Sequence, residues 1–460
     1  MLEGQALHRR IEIAAGAMFF LYGYDAGVLG GVLETPQFLN SLNNPSGKYD
    51  ISMISSSYTL AAFFATPLVM MFGMRLGRRL ILLLGCATVV VGAAIQASAF
   101  SMAHIIVGRV VCGFGIGFAL PAIFAFAIFW NCPDTPRWYY ACNRLEEGDR
   151  TLERLWGRSL ADPEVLAEKR GILAAIELEK SARHPKLKDF IWDTTELKTA
   201  RRLVICMAVN SFQQLISDKV CLPRDPVVYY ATIIYRSNGV SLRTAQILGG
   251  VQSTIFFLGT IPTIWLIDSV GRRGLMMKGA MIMSVIMLVF VVLLVMPEAR
   301  RSNATNWAAS VLIIIYNGFF GLAWIGAPWQ VAPELAPLEL RHVGAALNAS
   351  GEWLFSFVTT FASPIALADP RVGPRIWIWY LVFNVLAIPF IYFLVPETAR
   401  KNLEELDVLY CKDPAVRERI TNERAAAMAA AERAAEKRIG AVGGTGDKHE
   451  DSQYDYAESA

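Results

Sequence analysis

Ten stretches of this 460-residue chain are apolar for long enough to cross a lipid bilayer, at 11–31, 51–73, 80–100, 105–130, 203–235, 245–267, 275–296, 307–332, 343–367 and 376–395. A helix needs about 20 apolar residues to span the hydrocarbon layer, where the backbone must satisfy its own hydrogen bonds. The pattern therefore predicts an all-α polytopic membrane protein. Its balance of 54% hydrophobic to 18% charged residues is that of such a protein and not of a soluble domain. The fifth run is interrupted by SDKVCLPRDP at 217–226, too charged for bare hydrocarbon.

Positive charge orients the spans. Arg9 and Arg10 place the N-terminus in the cytoplasm, and the short connections carrying Arg75, Arg78 and Arg79, and Arg272 and Arg273, then lie on the same side. The bias is moderate, because Arg236, Arg243, Arg300, Arg301 and Arg371 fall outside. The organisation is a membrane half at 1–130, a cytosolic connector at 131–202, a second membrane half at 203–395 and a cytosolic tail at 396–460. In the connector, 161–182 reads as a surface helix starting at Asp162 and Pro163. In the tail, 422–438 has the propensity of a solvated helix, and 440–460 has the composition of a disordered end. The start of the chain reads as lacking a cleavable signal peptide.

Several function classes drop out. A net charge of +3 suggests no nucleic-acid partner. The seven cysteines show no paired spacing. No nucleotide loop, metal-ligand spacing or nucleophile with a base is present, so neither an enzyme nor a metal or cofactor is expected.

The chain repeats itself. RLGRR at 75–79 recurs as DSVGRR at 268–273, and PDTPR at 133–137 recurs as PETAR at 396–400. Two related halves joined by a connector are the layout of a transporter built from parallel repeats. From Gly77 to Pro133 is 56 residues and from Gly271 to Pro396 is 125, so the first half is 69 residues shorter. That shortfall is about two helices with their connections. The run at 105–130 reads as a fusion near 118–121, where the first part of one helix meets the second part of another.

Asp25 stands in GYDAGVLGG at 23–31, inside the first span. A carboxylate there costs about 2.5–3.5 kcal/mol even on the forgiving insertion scale, so it should face a protein interior or a watery path. The neighbouring glycines allow close approach.

GYDAGVLGG, the two GRR triplets at 77–79 and 271–273, GRVVCGFGIG (108–117), PDTPRW (133–138) and QQL (213–215) continue into VVYY (227–230), Pro328-Trp329 with Glu334 and Arg341, and PETARKNLEEL (396–406). In this order and spacing the motifs resemble the sugar porter family of the major facilitator superfamily, of the fungal hexose and disaccharide transporter type. The resemblance implies a twelve-helix fold with alternating access, against about ten helices here, with the fifth helix apparently deleted. It implies proton coupling by Asp25 and Arg109, whose bland reading is a static ion pair. It implies sugar contacts from Gln213, Gln214, Tyr229, Tyr230, Trp329, Glu352 and Trp353. For the two glutamines the bland reading is helix-to-helix bonding, for the tyrosines an interfacial belt, and for Trp329 plain packing. Glu352 stands where the family usually has Asn or Gln. It implies an ion network latching the inner gate, drawn from Arg78, Arg79, Arg137, Asp268, Arg272, Arg273, Glu334, Arg341 and Glu397; simple orientation by positive charge is the alternative.

Three departures matter. The Gln contact of the fifth helix is gone. The charged stretch 217–226 replaces a Gly-x-Asn segment. The first inner motif, Gly73 to Gly77, has no acid, whereas the second keeps Asp268. The expected function is proton-coupled symport of a monosaccharide across the plasma membrane, with both termini cytoplasmic and sugar, proton and bilayer as the partners. A non-transporting sugar sensor and a defective or misassembled product of a sugar-porter gene stay open.

Overall fold

The computed structural model describes residues 4–7, 9, 36–43, 49–76, 78–118, 134–181, 198–217, 241–295, 302–337, 340–369, 371–399, 401, 406 and 414–443. Asp25, Tyr229, Tyr230 and the junction at 119–121 lie outside them. In chain order the helices are α1 (Pro36–Ser41), α2 (Asp50–Leu76), α3 (Arg78–Ala97), α4 (Met102–Phe118), α5 (Pro136–Ala141), α6 (Leu145–Trp156), α7 (Pro163–Ser181) and α8 (Thr199–Ile216). There follow α9 (Leu242–Thr260), α10 (Thr263–Ser269), α11 (Arg272–Val295), α12 (Asn303–Ala323), α13 (Ala327–Leu335), α14 (Arg341–Ala368), α15 (Ile376–Leu394) and α16 (Pro414–Gly443). No strand occurs among the described residues.

The chain divides into two compact units. One holds Arg10–Cys132 and Pro185–Cys411. Its helices follow the apolar runs, with two runs broken in the middle. The run at 245–267 is α9 and α10, parted at Ile261 and Pro262; the run at 307–332 is α12 and α13, parted at 324–326 ahead of Pro328. Proline is at home in the first turn of a helix, where its missing N–H is no loss. The inner connection expected at 74–79 is shorter than the hydropathy suggests, since α2 runs to Leu76 and α3 starts at Arg78.

Among the described residues, four segments are long and apolar enough to span a membrane: Ile247–Ser269, Arg272–Val295, Asn303–Leu335 and Ile376–Leu394. Helices α2 and α14 have 27 and 28 residues and are long enough too, at about 40 Å. Their composition is more polar because they are covered: α2 packs on α4 and α14, and α14 packs on α8 and α2. Buried Ser55, Ser56 and Thr59 on α2 and Asn348, Glu352 and Thr359 on α14 record that position. The α8–α14 contact is close. A Cβ at Gly351 would lie 2.3 Å from the Met207 carbonyl oxygen and 2.8 Å from Ser211 Oγ. In lipid, where burial gives helices little reason to associate, such small residues make tight packing available. The main core gathers Met276, Met283, Phe290, Tyr316 and Trp377 from α11, α12 and α15, with Trp324 from the break after α12.

The other unit holds Met1–Arg9, Pro133–His184 and Lys412–Ala460. Helix α7 begins as the sequence predicts, with Asp162 Oδ1 accepting from the Glu164 N–H at 2.9 Å. The tail helix is longer than expected and is not solvated on all sides. Its Ala431 and Ala435 are buried against Tyr140, Leu173, Ala174 and Ile176. Beneath them Asp149 accepts from the Tyr140 hydroxyl at 2.7 Å and pairs with buried Lys169 at 2.8 Å. Burial pushes the Tyr140 phenol up, and the bond to Asp149 adds to the shift.

Candidate functional site

The break between α12 and α13 organises the interior. Pro328 has no N–H, so the carbonyl of Trp324, four residues back, lacks its helical donor. Gln213 supplies one: its Nε2 donates to the Trp324 oxygen at 2.7 Å and reaches the Ile325 oxygen at 3.4 Å. The Thr263 hydroxyl donates to the Leu322 oxygen at 2.7 Å. Nearer the start of α8, Cys206 Sγ donates to the Ala332 oxygen at 3.1 Å, and Arg202 Nε donates to the Leu335 oxygen at 2.6 Å. Positions 202, 206 and 213 share one helical face, so α8 is stitched along the broken helix. The helix-bonding reading of Gln213 therefore applies to its Nε2, while its Oε1 has no hydrogen-bond partner.

A second face of α8 is different. Asn210, Gln214 and Ser217 recur at i, i+4 and i+7 and are 0%, 2% and 1% exposed. Both polar atoms of the Asn210 amide, Oε1 of Gln214 and Oγ of Ser217 have no hydrogen-bond partner. On α14, Asn348 is buried with its Oδ1 in the same condition, one turn before buried Glu352. Each such atom costs about 1–3 kcal/mol if nothing pairs with it. They lie on two helices that pack on one another. The far end of α8 is pinned: the Tyr316 hydroxyl donates to the Ile216 carbonyl and accepts from Asn384 Nδ2 at 2.8 Å.

Arg109 is 1% exposed. Its Nε donates to the Ile54 oxygen at 3.2 Å and its Nη2 to the Ser55 oxygen at 3.3 Å, and its guanidinium lies 4.5 Å from the centre of the Tyr58 ring. Tyr58 belongs to a cluster with Val89, Cys112 and Ile116, against which Trp353 of α14 packs. Two expected site residues, one from each half of the repeat, thus meet one tyrosine cluster. Trp329 stands apart on α13, 39% exposed.

Where α10 gives way to α11, Arg272 Nη1 meets Asp268 at 2.8 Å and its Nη2 meets Glu334 at 3.4 Å. Glu397 accepts from the backbone N–H groups of Arg272 at 3.0 Å and Gly274 at 3.3 Å, capping α11 with a carboxylate. Arg273 donates to the Tyr392 oxygen at 2.6 Å and covers its ring. Arg341 opens α14 half-buried, and Arg137 is exposed in the other unit. Arg78 and Arg79 open α3; their side chains fall outside the described residues. Sequence reasoning missed Asn210, Asn348, Tyr316 and Asn384. The signal for the three amides was their rarity inside apolar runs.

The model of the sugar (and other) transporter family matches residues 11–121 and 118–410. The MFS-type transporter oryC of Aspergillus oryzae is 27% identical over 483 aligned positions, which cover 90% of this chain and 87% of that protein. Sugar transporter STL1 of Saccharomyces cerevisiae is 26% identical, with 89% of this chain and 82% of that protein covered. Among solved structures, the proton:xylose symporter XylE bound to 6-bromo-6-deoxy-D-glucose has the same fold, with a TM-score of 0.68 at 20% identity, covering 87% of this chain and 98% of that one.

Proposed function

Because the chain belongs to the sugar (and other) transporter family, whose model covers it from residue 11 to residue 410, we propose that it carries a monosaccharide across the membrane by alternating access of its two halves, coupled to protons. Its plasma-membrane location and its cytoplasmic termini are part of the same reading. The observation that carries it is the set of buried amides on α8 and α14 with polar atoms lacking partners, in a chain of this family. Amides both donate and accept, which suits a ring of hydroxyls. Asp25 is the proton carrier and Arg109 its partner, as the family resemblance implies. The Arg109–Tyr58 contact and the seating of Trp353 on the same cluster give the charge a mechanical route to α14. Asp268, Arg272, Glu334 and Glu397 form the inner latch, which ties the ends of α10, α11 and α13 to the segment after α15.

The test is uptake of labelled hexose by a host lacking its own hexose transporters, with surface expression checked. Accumulation that a protonophore collapses is the expected result. Asp25→Asn should leave downhill exchange and abolish accumulation; undiminished accumulation in that variant sinks the coupling. A surface-expressed chain that moves no hexose sinks transport and brings the sensor reading forward.

A further inference from the structure

Helix α13 is too short to hold itself. It has nine residues, and Pro333 inside it lacks the N–H that the Trp329 carbonyl would take. Its last carbonyls have no donors within the helix. Two of them are met from α8. The Ala332 oxygen takes the Cys206 thiol at 3.1 Å beside the N–H of Ala336, also at 3.1 Å. The oxygen of Leu335, the last residue, takes Arg202 Nε at 2.6 Å. Arg202 is fully buried there, and a cation suits the negative end of a helix. Gly344 of α14 closes over the joint: a Cβ on it would lie 2.4 Å from the Ala336 Cβ and 3.6 Å from Cys206 Sγ.

The residue before Leu335 is Glu334, about 100° away around the helix axis. Its carboxylate meets Arg272 at the start of α11, and Arg272 also holds Asp268 of α10. Two arginines on different helices therefore hold the end of α13, one by its backbone and the other by a side chain.

We propose that Arg202 is a positioning residue: by capping α13 it sets that helix so that Glu334 reaches Arg272, and it makes α13 move with α8 instead of with α12, from which the break at 324–326 already parts it. An arginine suits the place because its delocalised charge is weakly hydrated and persists on burial, which an ammonium does not guarantee. That α13 moves in a working cycle rests on the transport reading above; the joint itself does not.

Cys206 is a built-in reporter of this joint. It is fully buried against α13, so a thiol reagent reaches it only when the joint opens. The purified full-length chain is treated with N-ethylmaleimide, and the labelling rate at Cys206 is read by peptide mass. Cys112 of α4, equally buried in another cluster, is the control for general unfolding. Wild type is compared with Arg202→Met, Arg202→Lys, Glu334→Gln and the double variant Arg202→Met with Glu334→Gln.

Arg202→Met should speed labelling of Cys206 by on the order of tenfold and leave Cys112 unchanged, because a charge-assisted bond that closes the joint is gone. Arg202→Lys keeps a donor and a charge and should recover part of the protection. Glu334→Gln should speed labelling too. Adding it to Arg202→Met should gain clearly less than it gains alone, because without the cap Glu334 is no longer held towards Arg272. Unchanged labelling of Cys206 in Arg202→Met overturns the cap. Two factors that multiply in full overturn the positioning of Glu334, since the ties would then act independently. Equal acceleration at Cys112 overturns the proposal as well, because Arg202 would then serve the fold at large. No solute enters the assay, so the result stands apart from whether the chain transports hexose.

Discussion

At Gly271 the backbone turns through φ +88°, and the Glu397 carboxylate fills the space beside it: an added Cβ would lie 2.4 Å from Oε2. This is the physical content of the Gly-Arg-Arg at 271–273. The glycine takes a left-handed turn that also admits a distant acid, and that acid caps the helix which the two arginines begin. Gly271→Ala should therefore combine a left-handed backbone penalty with a damaged cap, roughly 2–3 kcal/mol in all. A clear drop in apparent Tm, matched in part by Glu397→Gln, is the expected outcome; a silent Gly271→Ala would refute it. Arg109 is the other residue whose shape matters more than its charge. Its planar fork reaches two carbonyls and a ring together, which an ammonium cannot do. Arg109→Lys should lower both Tm and uptake, though the charge is kept. The motif residues themselves were legible in the sequence. What each does was not, because helical spacing does not say whether a buried amide meets a carbonyl or a solute. Gln213 and Gln214 looked equivalent until the broken helix gave one of them a partner.

Elements were legible where the signal was apolar length, and less so where it was small residues. The runs at 275–296, 343–367 and 376–395 became α11, α14 and α15 within a few residues. Hydropathy runs on through both breaks; Pro328 marks a broken helix ahead of Trp329 in the sequence itself, whereas the break at Pro262 gave no such reading. The tail helix was foreseen from its alanines, but not its docking, for the same reason: alanine signals helix propensity and gives no apolar stripe. Ala431 and Ala435 nonetheless help cover Leu173 and Ile176 of α7, side chains worth roughly 1.5–3 kcal/mol each when buried. Removing the chain from residue 414 onward should expose that face, and trypsin should then cut within 134–181 under conditions that spare the full chain. A tail helix that is merely solvated would change nothing. The same unit should weaken in alkali. Tyr140 keeps its proton beyond the usual tyrosine range, so the folded unit holds a proton that the unfolded chain releases above a pH of about 10. Its stability is full below that pH and declines above it, and Tyr140→Phe should flatten the decline in a comparison of thermal midpoints at neutral and alkaline pH.

The whole molecule turns on one junction. Its two repeats differ by 69 residues, and the family match arrives in two segments that meet at 118–121, where the apolar run reads as a fusion of two helices. The alignment to the oryC transporter runs over 483 positions, more than this chain's 460 residues, so that relative has residues with no counterpart here. On the fusion reading, the loss of two crossings would preserve the side on which every later segment lies. The same reading would leave faces in the first half for a neighbour or a second copy to cover. Sequencing the transcript across the codons for 118–121 should reveal about 69 further codons, the length of two helices with their connections. The product carrying them should take up hexose faster than the present chain at equal surface density. A transcript that matches the present chain would show that the protein itself lacks those two helices. Transport would then have to proceed without the fifth helix's contact, and a surface-expressed chain that moves no hexose is the outcome expected of it.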